Sequence, residues 1–486
     1  MWRCVRGHLG YLTSNRAGIS SVRTSCNQEE PMNPYAQPRV FAKTVLRAAI
    51  AGLLLAFSCF RPPLSLADTP VSLQIAFDNP QVDISRSGTR FLELLVQTAS
   101  PPDREAQLQA LPLNIALVID RSGSMASNRK LDLVKAAAKE MVWRLQPGDQ
   151  FSLIAYDDRV QVLMPSSADL DPRRVEELID GITPGGSTNL GGGLAEGYRQ
   201  VRAGVRPNAV NKVLLLSDGL ANIGITDPRQ LTAMAEHQAQ ERVSLSTFGV
   251  GLDFNEDLMA DLSERGRGMY YFIDDPRHVE TMLTKEFNAT RQLAARDVRL
   301  TLHWQAGVRV AEVFANSFQQ YDDELVIQAG DIPVGERRRI QIRFEAPSLP
   351  EGMRSIGTLR MNYRIPGVER EEHQDMPIQL AYVSPGTAIE EGRNREVSER
   401  SRIFEAQYTR ARATEAVERG DVVLARRTLA DSLSSLRALS TSNHKLLREI
   451  EQTKALLESL DRQLSRDERV RERKAVKYRK YLLEGC

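Results

Sequence analysis

Leu113-Asn114-Ile115-Ala116-Leu117-Val118-Ile119, running into Asp120-Arg121-Ser122-Gly123-Ser124, decides the fold of this chain. An almost unbroken apolar run predicts a parallel strand covered on both faces. One carboxylate and two hydroxyls then leave the C-terminal end of that strand together. In open α/β sheets this is the edge where ligands bind. Oxygen-only donors on a tight turn suit a hard cation such as Mg²⁺.

Working outward, two later segments supply similar donors. Pro184-Gly185-Gly186-Ser187-Thr188-Asn189-Leu190 places hydroxyls on a glycine-rich loop. Val213-Leu214-Leu215-Leu216-Ser217-Asp218-Gly219 is a second buried-strand pattern that ends in a carboxylate. Together the three segments resemble the von Willebrand factor A family with its metal-ion-dependent adhesion site, of the exported bacterial type. The family pattern is Asp-x-Ser-x-Ser, a distant Thr and a distant Asp, and Asp120, Ser122, Ser124, Thr188 and Asp218 match it in order. Ala221-Asn222-Ile223-Gly224 and Phe248-Gly249-Val250-Gly251 resemble the family as well. The resemblance implies that Ser122, Ser124 and Thr188 touch the metal directly, and that Asp120 and Asp218 act largely through water. It implies Mg²⁺, with Mn²⁺ or Ca²⁺ as alternatives, and a protein partner that offers an Asp or Glu to the open metal position.

The flanking pattern predicts an α/β fold, doubly wound around a mostly parallel Rossmann-like sheet, over residues 111–295. Leu131 to Leu145 and Leu190 to Val205 read as helices. Phe151 to Tyr156 and Val160 to Leu163 read as a hairpin. Pro172, Asp227-Pro228 and Pro276 open further helices, the last expected to reach about Ala295. Residues 296–385 change period. Val298, Leu300, Leu302 and Trp304 alternate with polar neighbours, as do Ile340, Ile342 and Phe344, then Leu359, Met361 and Tyr363, then Ile378, Leu380 and Tyr382. This predicts an antiparallel β-sandwich module. Residues 68–110 hold two more strand patterns, at Val71 to Phe77 and Phe91 to Val96. Two strands alone bury too little, so the α/β unit is expected to be inserted in, or followed by, the sandwich. Residues 388–486 predict a helical C-terminal region, broken at Gly420-Asp421. Its basic run Arg469 to Lys474 reads either as a solvated helix end or as a patch for an anionic lipid or polymer.

Residues 1–67 read as an N-terminal extension and secretory signal. Arg39, Lys43 and Arg47 precede the apolar run Ala48 to Phe57, and Ser65-Leu66-Ala67 supplies small residues for cleavage. Met32 is an alternative start, and lipid anchoring through Cys59 is an alternative to cleavage. Cys4, Cys26 and Cys59 precede the cleavage point, which leaves Cys486 and no internal disulfide. Export to a periplasm or cell envelope is therefore expected.

Composition narrows the function. The 486 residues are 42% hydrophobic and 26% charged with a net charge of +1, which gives no sign of a nucleic-acid partner. No phosphate-binding Gly-x-x-x-x-Gly-Lys-Ser/Thr loop, no His-Glu-x-x-His and no Gly-x-Ser-x-Gly elbow occurs, so an enzyme is not expected. Nor is there the multi-pass apolar region a channel would need. Two readings remain: a metal-dependent binding module, or a structural subunit of an envelope complex that docks through its C-terminal helices.

Overall fold

The computed structural model describes residues 71–85, 88–98, 111–206, 208–368, 370–385, 392–438, 443–460 and 466–482. The signal and lipid-anchor readings lie outside these residues. Among the described residues no helix is long and apolar enough to cross a membrane.

The first strands are β1 (Val71–Phe77), β2 (Gln81–Asp83) and β3 (Thr89–Thr98). β4 (Leu113–Asp120) is buried at every residue, as its apolar run requires. A 3-10 segment (Gly123–Arg129) leads into α1 (Lys130–Trp143). β5 (Gln150–Tyr156) and β6 (Val160–Ser167) form the expected hairpin. There follow α2 (Pro172–Asp180), α3 (Leu190–Ala203), β7 (Val210–Ser217), α4 (Pro228–Gln240), β8 (Val243–Val250), α5 (Glu256–Arg265), β9 (Arg267–Ile273) and α6 (Val279–Arg291). The sheet order is β6-β5-β4-β7-β8-β9, and only β6 is antiparallel to its neighbour. One apolar core lies on each face of this sheet.

Local chemistry sets several of the helix starts. Asp171, Asp227 and Asn255 accept backbone N–H groups at the N-caps of α2, α4 and α5, and Pro follows in the first two. Helix α3 lies close to the sheet because it lacks side chains there. A Cβ on Gly197 would stand 2.6 Å from Val118 and 3.1 Å from Val213, and one on Gly193 would stand 2.6 Å from the Tyr156 ring. Gly197→Val should therefore destabilise the fold by about 1–3 kcal/mol through overpacking. The few tenths of a kcal/mol gained in helix propensity do not offset this. Urea unfolding checks it; an unchanged midpoint would mean that the helix can shift away.

One boundary follows expectation and one needs correcting. The glycine-rich loop ends at Asn189, and the helix read from Leu190 begins there. Asn189 caps α3 by accepting the Gly192 N–H, which places Gly191, Gly192 and Gly193 in the first helical turn. The helix after Pro276 ends at Arg291, short of Ala295, because Leu293 already pairs with Pro333 in β10 (Leu293–Trp304).

Beyond β10 come β11 (Arg309–Phe314), β12 (Phe318–Gln320), β13 (Glu324–Pro333), β14 (Arg337–Glu345), β15 (Gly352–Arg364) and β16 (Glu371–Val383). They form two sheets, β1-β3-β14-β11 and β12-β13-β10-β15-β16-β2. Strand β3 pairs antiparallel with β14, Leu94 opposite Ile340, across the whole α/β unit. The alternating residues read from the sequence all enter the core between the sheets, along with Val71, Leu92 and Leu94. One pairing departs from the antiparallel pattern: β2 runs parallel to β16.

Four helices follow among the described residues: α7 (Arg395–Glu418), α8 (Val422–Arg437), α9 (His444–Ser459) and α10 (Arg466–Leu482). Gly420 at φ 83° ends α7, and Asp421 caps α8. The basic run is solvated only in part: Arg469 and Arg471 are exposed, whereas its C-terminal end is drawn into the structure. Arg473, Lys474 and Lys477 of α10 pair with Glu256 of α5, and Tyr478 and Tyr481 pack edge-on against Tyr270 of β9. The C-terminal helix thus folds back onto the α/β unit.

Candidate metal centre

The strand order brings the ends of β4, β5 and β7 side by side, and each contributes a polar residue. Asp120 is fully buried. One carboxylate oxygen accepts the Ser122 N–H at 2.8 Å, which turns the chain out of the strand. The other accepts the Ser217 hydroxyl at 2.6 Å and the Tyr156 hydroxyl at 3.4 Å. The neighbouring strands therefore clamp Asp120 from both sides.

The remaining donors gather above it. Ser122 Oγ and Ser124 Oγ lie 3.2 Å apart, and Ser124 Oγ donates to Asp218 Oδ1 at 2.7 Å. The loop that carries Thr188 is tied to the Asp120–Ser124 turn by Gly185 N–H to Arg121 O at 2.7 Å and Gly123 N–H to Gly186 O at 2.9 Å. Gly185 is needed for this approach, because a Cβ there would fall 1.9 Å from Asp157 Oδ2. Thr188 is held by its own backbone: its N–H donates to Asn222 Oδ1 at 2.9 Å, and its carbonyl accepts from Asn222 and Ile223. A Cβ placed on Gly219 would stand 3.2 Å from Thr188 Oγ1 and 3.8 Å from Ser124 Oγ. Gly219 thus leaves open the space that both hydroxyls face.

Lys130, at the start of α1, was not anticipated. Its buried ammonium donates to Asp218 Oδ2 at 2.6 Å and lies 3.7 Å from Asp253 Oδ2. The centre therefore holds two buried carboxylates and one buried ammonium, and the ammonium serves Asp218. Among the described residues no ion pair reaches Asp120. Burial, opposed by the Ser122 and Ser217 hydrogen bonds and reinforced by the Asp218 charge, raises the Asp120 carboxyl above its usual range. Burial and the Asp120 charge push the Tyr156 phenol far up, so it remains a donor. A second cation at this point would remove the cost of the unpaired carboxylate. Among the described residues no group of three His, Cys, Asp or Glu side chains is placed to hold a metal ion, so hydroxyls would have to supply part of the ligand set, and every candidate ligand atom here is oxygen. The residues present fit a hard divalent ion.

Tyr156, Ser217 and Lys130 had no motif to reveal them. Ser217 could have been noticed as the hydroxyl directly before Asp218. Tyr156 and Lys130 reach the site only through strand order and the path of the 3-10 segment. At the rim, Arg121 pairs with Asp157 at 3.2 Å, while Leu220 and Ile223 stand exposed beside Asp218.

Comparison with known proteins agrees with this fold. The sequence profile of the von Willebrand factor type A domain matches residues 114–285. Protein YfbK of Escherichia coli (strain K12) is 30% identical over 253 residues, covering 50% of this chain and 43% of that protein. Inter-alpha-trypsin inhibitor heavy chain H2 of Sus scrofa is 28% identical over 222 residues, covering 44% of this chain and 23% of that one. The chain thus spans less than half the length of either relative. Among solved structures, a von Willebrand factor type A protein from Catenulispora acidiphila superposes with a TM-score of 0.64 at 16% identity, over 87% of this chain and 98% of that one. The ArnB paralog VWA2 from Sulfolobus acidocaldarius superposes at 0.54 and 19%, over 84% and 98%. At these identities the likeness is one of fold, and it extends well beyond the α/β unit. Residues 114–285 are a von Willebrand factor type A domain, set among the strands of a β-sandwich and followed by helices.

Proposed function

We propose that this protein is an exported, non-enzymatic binding module that grips an acidic residue of a partner protein through a divalent cation, Mg²⁺ first among the candidates. The observation that supports this best is the convergence of Ser122, Ser124 and Asp218 above a buried Asp120 that has no cationic partner among the described residues. Ser122, Ser124 and Thr188 would hold the ion through their hydroxyls, and Asp120 and Asp218 through water. An ion held by few anionic groups keeps an open, electrophilic position that a partner carboxylate can take. Lys130 strengthens this property, because it offsets part of the Asp218 charge. Leu220 and Ile223 on the rim would exclude water around the captured carboxylate.

The test uses the full chain, with Mg²⁺ or with EDTA, to capture partners from an envelope extract, beside Thr188→Ala. Calorimetry of Mg²⁺ runs in parallel. Thr188→Ala should weaken Mg²⁺ binding on the order of 10–100-fold, as loss of a metal-site residue commonly does. It should abolish capture. A partner retained in EDTA and by Thr188→Ala would sink the metal-bridge reading.

A further inference from the structure

The loop that closes β8, residues 251–255, lies between two buried lysines that are far apart in the sequence. On one side stands Lys130. Its Cε and Nζ lie 2.9 and 3.1 Å from where a Cβ of Gly251 would be, and Gly251 has φ 85°. The same ammonium meets Asp253 of the loop at 3.7 Å and Asp218 of the metal centre at 2.6 Å. On the other side stands Lys474 of α10, whose side chain is 0% exposed. It donates to Phe254 O at 2.6 Å and to Glu256 Oε2 at 2.7 Å, and its ammonium lies 3.6 Å from the centre of the Phe254 ring. That ring covers the end of β8, where a Cβ on Gly249 would strike it at 2.2 Å. Tyr270 and Phe272 of β9 meet Tyr478 of α10 beside it.

A buried ammonium is tolerated only while its hydrogen-bond acceptors stay in place. Lys474 needs the Phe254 carbonyl and Glu256; Lys130 needs Asp218 and packs on Gly251. Both conditions are met by one position of the five-residue loop. We propose that α10 is a strap that tunes the metal centre. Its docking sets the loop, the loop shares Lys130 between Asp253 and Asp218, and this sharing leaves Asp218 available to a cation. With the strap released, Asp253 withdraws, Lys130 pairs wholly with Asp218, and the centre holds its cation less well. By reciprocity a bound cation tightens the strap. The inference builds on the metal-centre reading above, but its first link, from Lys130 to α10, exists without metal.

Amide hydrogen exchange of the metal-free full chain tests that first link. Asp253→Asn is the variant of choice, because Asp253 is 77% exposed on the loop and its loss leaves the core intact. Exchange over residues 466–482 should be faster in Asp253→Asn than in wild type by several-fold, with the sandwich strands unchanged as a control. Equal exchange overturns the strap, whatever the metal does. Calorimetry then reads the second link. Lys474→Met and Asp253→Asn should each weaken Mg²⁺ by about fivefold, the lower end of common coupling. The double variant should be no weaker than either one, because both cut the same connection. Unchanged Mg²⁺ affinity in Lys474→Met overturns the coupling. A wild-type chain that takes up no Mg²⁺ would sink the metal-centre reading instead, and the exchange result would still decide whether the strap holds the loop.

Discussion

In Asp120→Ala the heat of Mg²⁺ binding is expected to disappear, together with the stabilisation that Mg²⁺ confers. The side chain has three hydrogen-bond partners at the floor of the centre: Ser122 N–H, Ser217 Oγ and Tyr156 OH. Its loss removes one of the two buried carboxylates of the proposed centre. It also releases the turn that aims Ser122 and Ser124. Loss of a residue that orients metal ligands costs on the order of 10–100-fold in affinity, and Asp120 combines that role with its charge, so the upper end applies. Without metal the outcome differs. The lost hydrogen bonds are worth roughly 1.5–3 kcal/mol each. Removal of a buried charge without a cationic partner returns several kcal/mol. These terms nearly cancel, so urea unfolding in EDTA should differ little between variant and wild type. At a hundredfold excess of Mg²⁺ over its Kd, wild type should gain about 2.7 kcal/mol and the variant nothing. Matching Mg²⁺ isotherms would remove Asp120 from the site.

Glu286→Ala should give the largest loss of stability, about 3–5 kcal/mol. Glu286 is buried on α6 and accepts from Lys212 of β7 at 2.6 Å, Ser246 of β8 at 2.5 Å and Tyr271 of β9 at 2.8 Å. One carboxylate thus fastens α6 to three consecutive strands. Alanine takes from the buried Lys212 ammonium the carboxylate it pairs with. The exposed pair Arg360–Asp375 is the control: cutting it should cost under about 1 kcal/mol, because water screens it. Denaturant unfolding of Glu286→Ala and Arg360→Ala separates the two. Equal midpoints would mean that Glu286 does not fasten the helix. The Glu286 contact matters for function too, because α6 runs into β10 after a single residue, Gln292.

These two residues also mark how much could be read in advance. Asp120 was visible, because a buried strand that ends in a carboxylate and two hydroxyls is a local pattern. Glu286 was not. On α6 it looks like one more charge on an amphipathic helix, and only the assembled sheet shows that it faces inward to meet Lys212.

The sequence alone determined whatever depends on near neighbours. Period-two alternation from Val298 to Trp304 and from Ile378 to Tyr382 specifies half-buried strands, since side chains alternate across a sheet. Unbroken apolar runs mark β4 and β7, and Asp-Pro marks a capped helix start. The five candidate residues could be picked out because each lies within a few positions of such a strand or helix end. Tertiary structure decided the rest. Leu94 pairs with Ile340 across some 240 residues, and the two meet because both strands bury one face in the same core. The boundary at Arg291 fell to pairing with Pro333, since Leu293-Ala294-Ala295 suits helix and strand alike. Lys130, Tyr156 and Lys474 are ordinary residues in the sequence. They acquired their roles because closing the sheet and docking α10 took their polar atoms out of water, and a polar group out of water must find a partner.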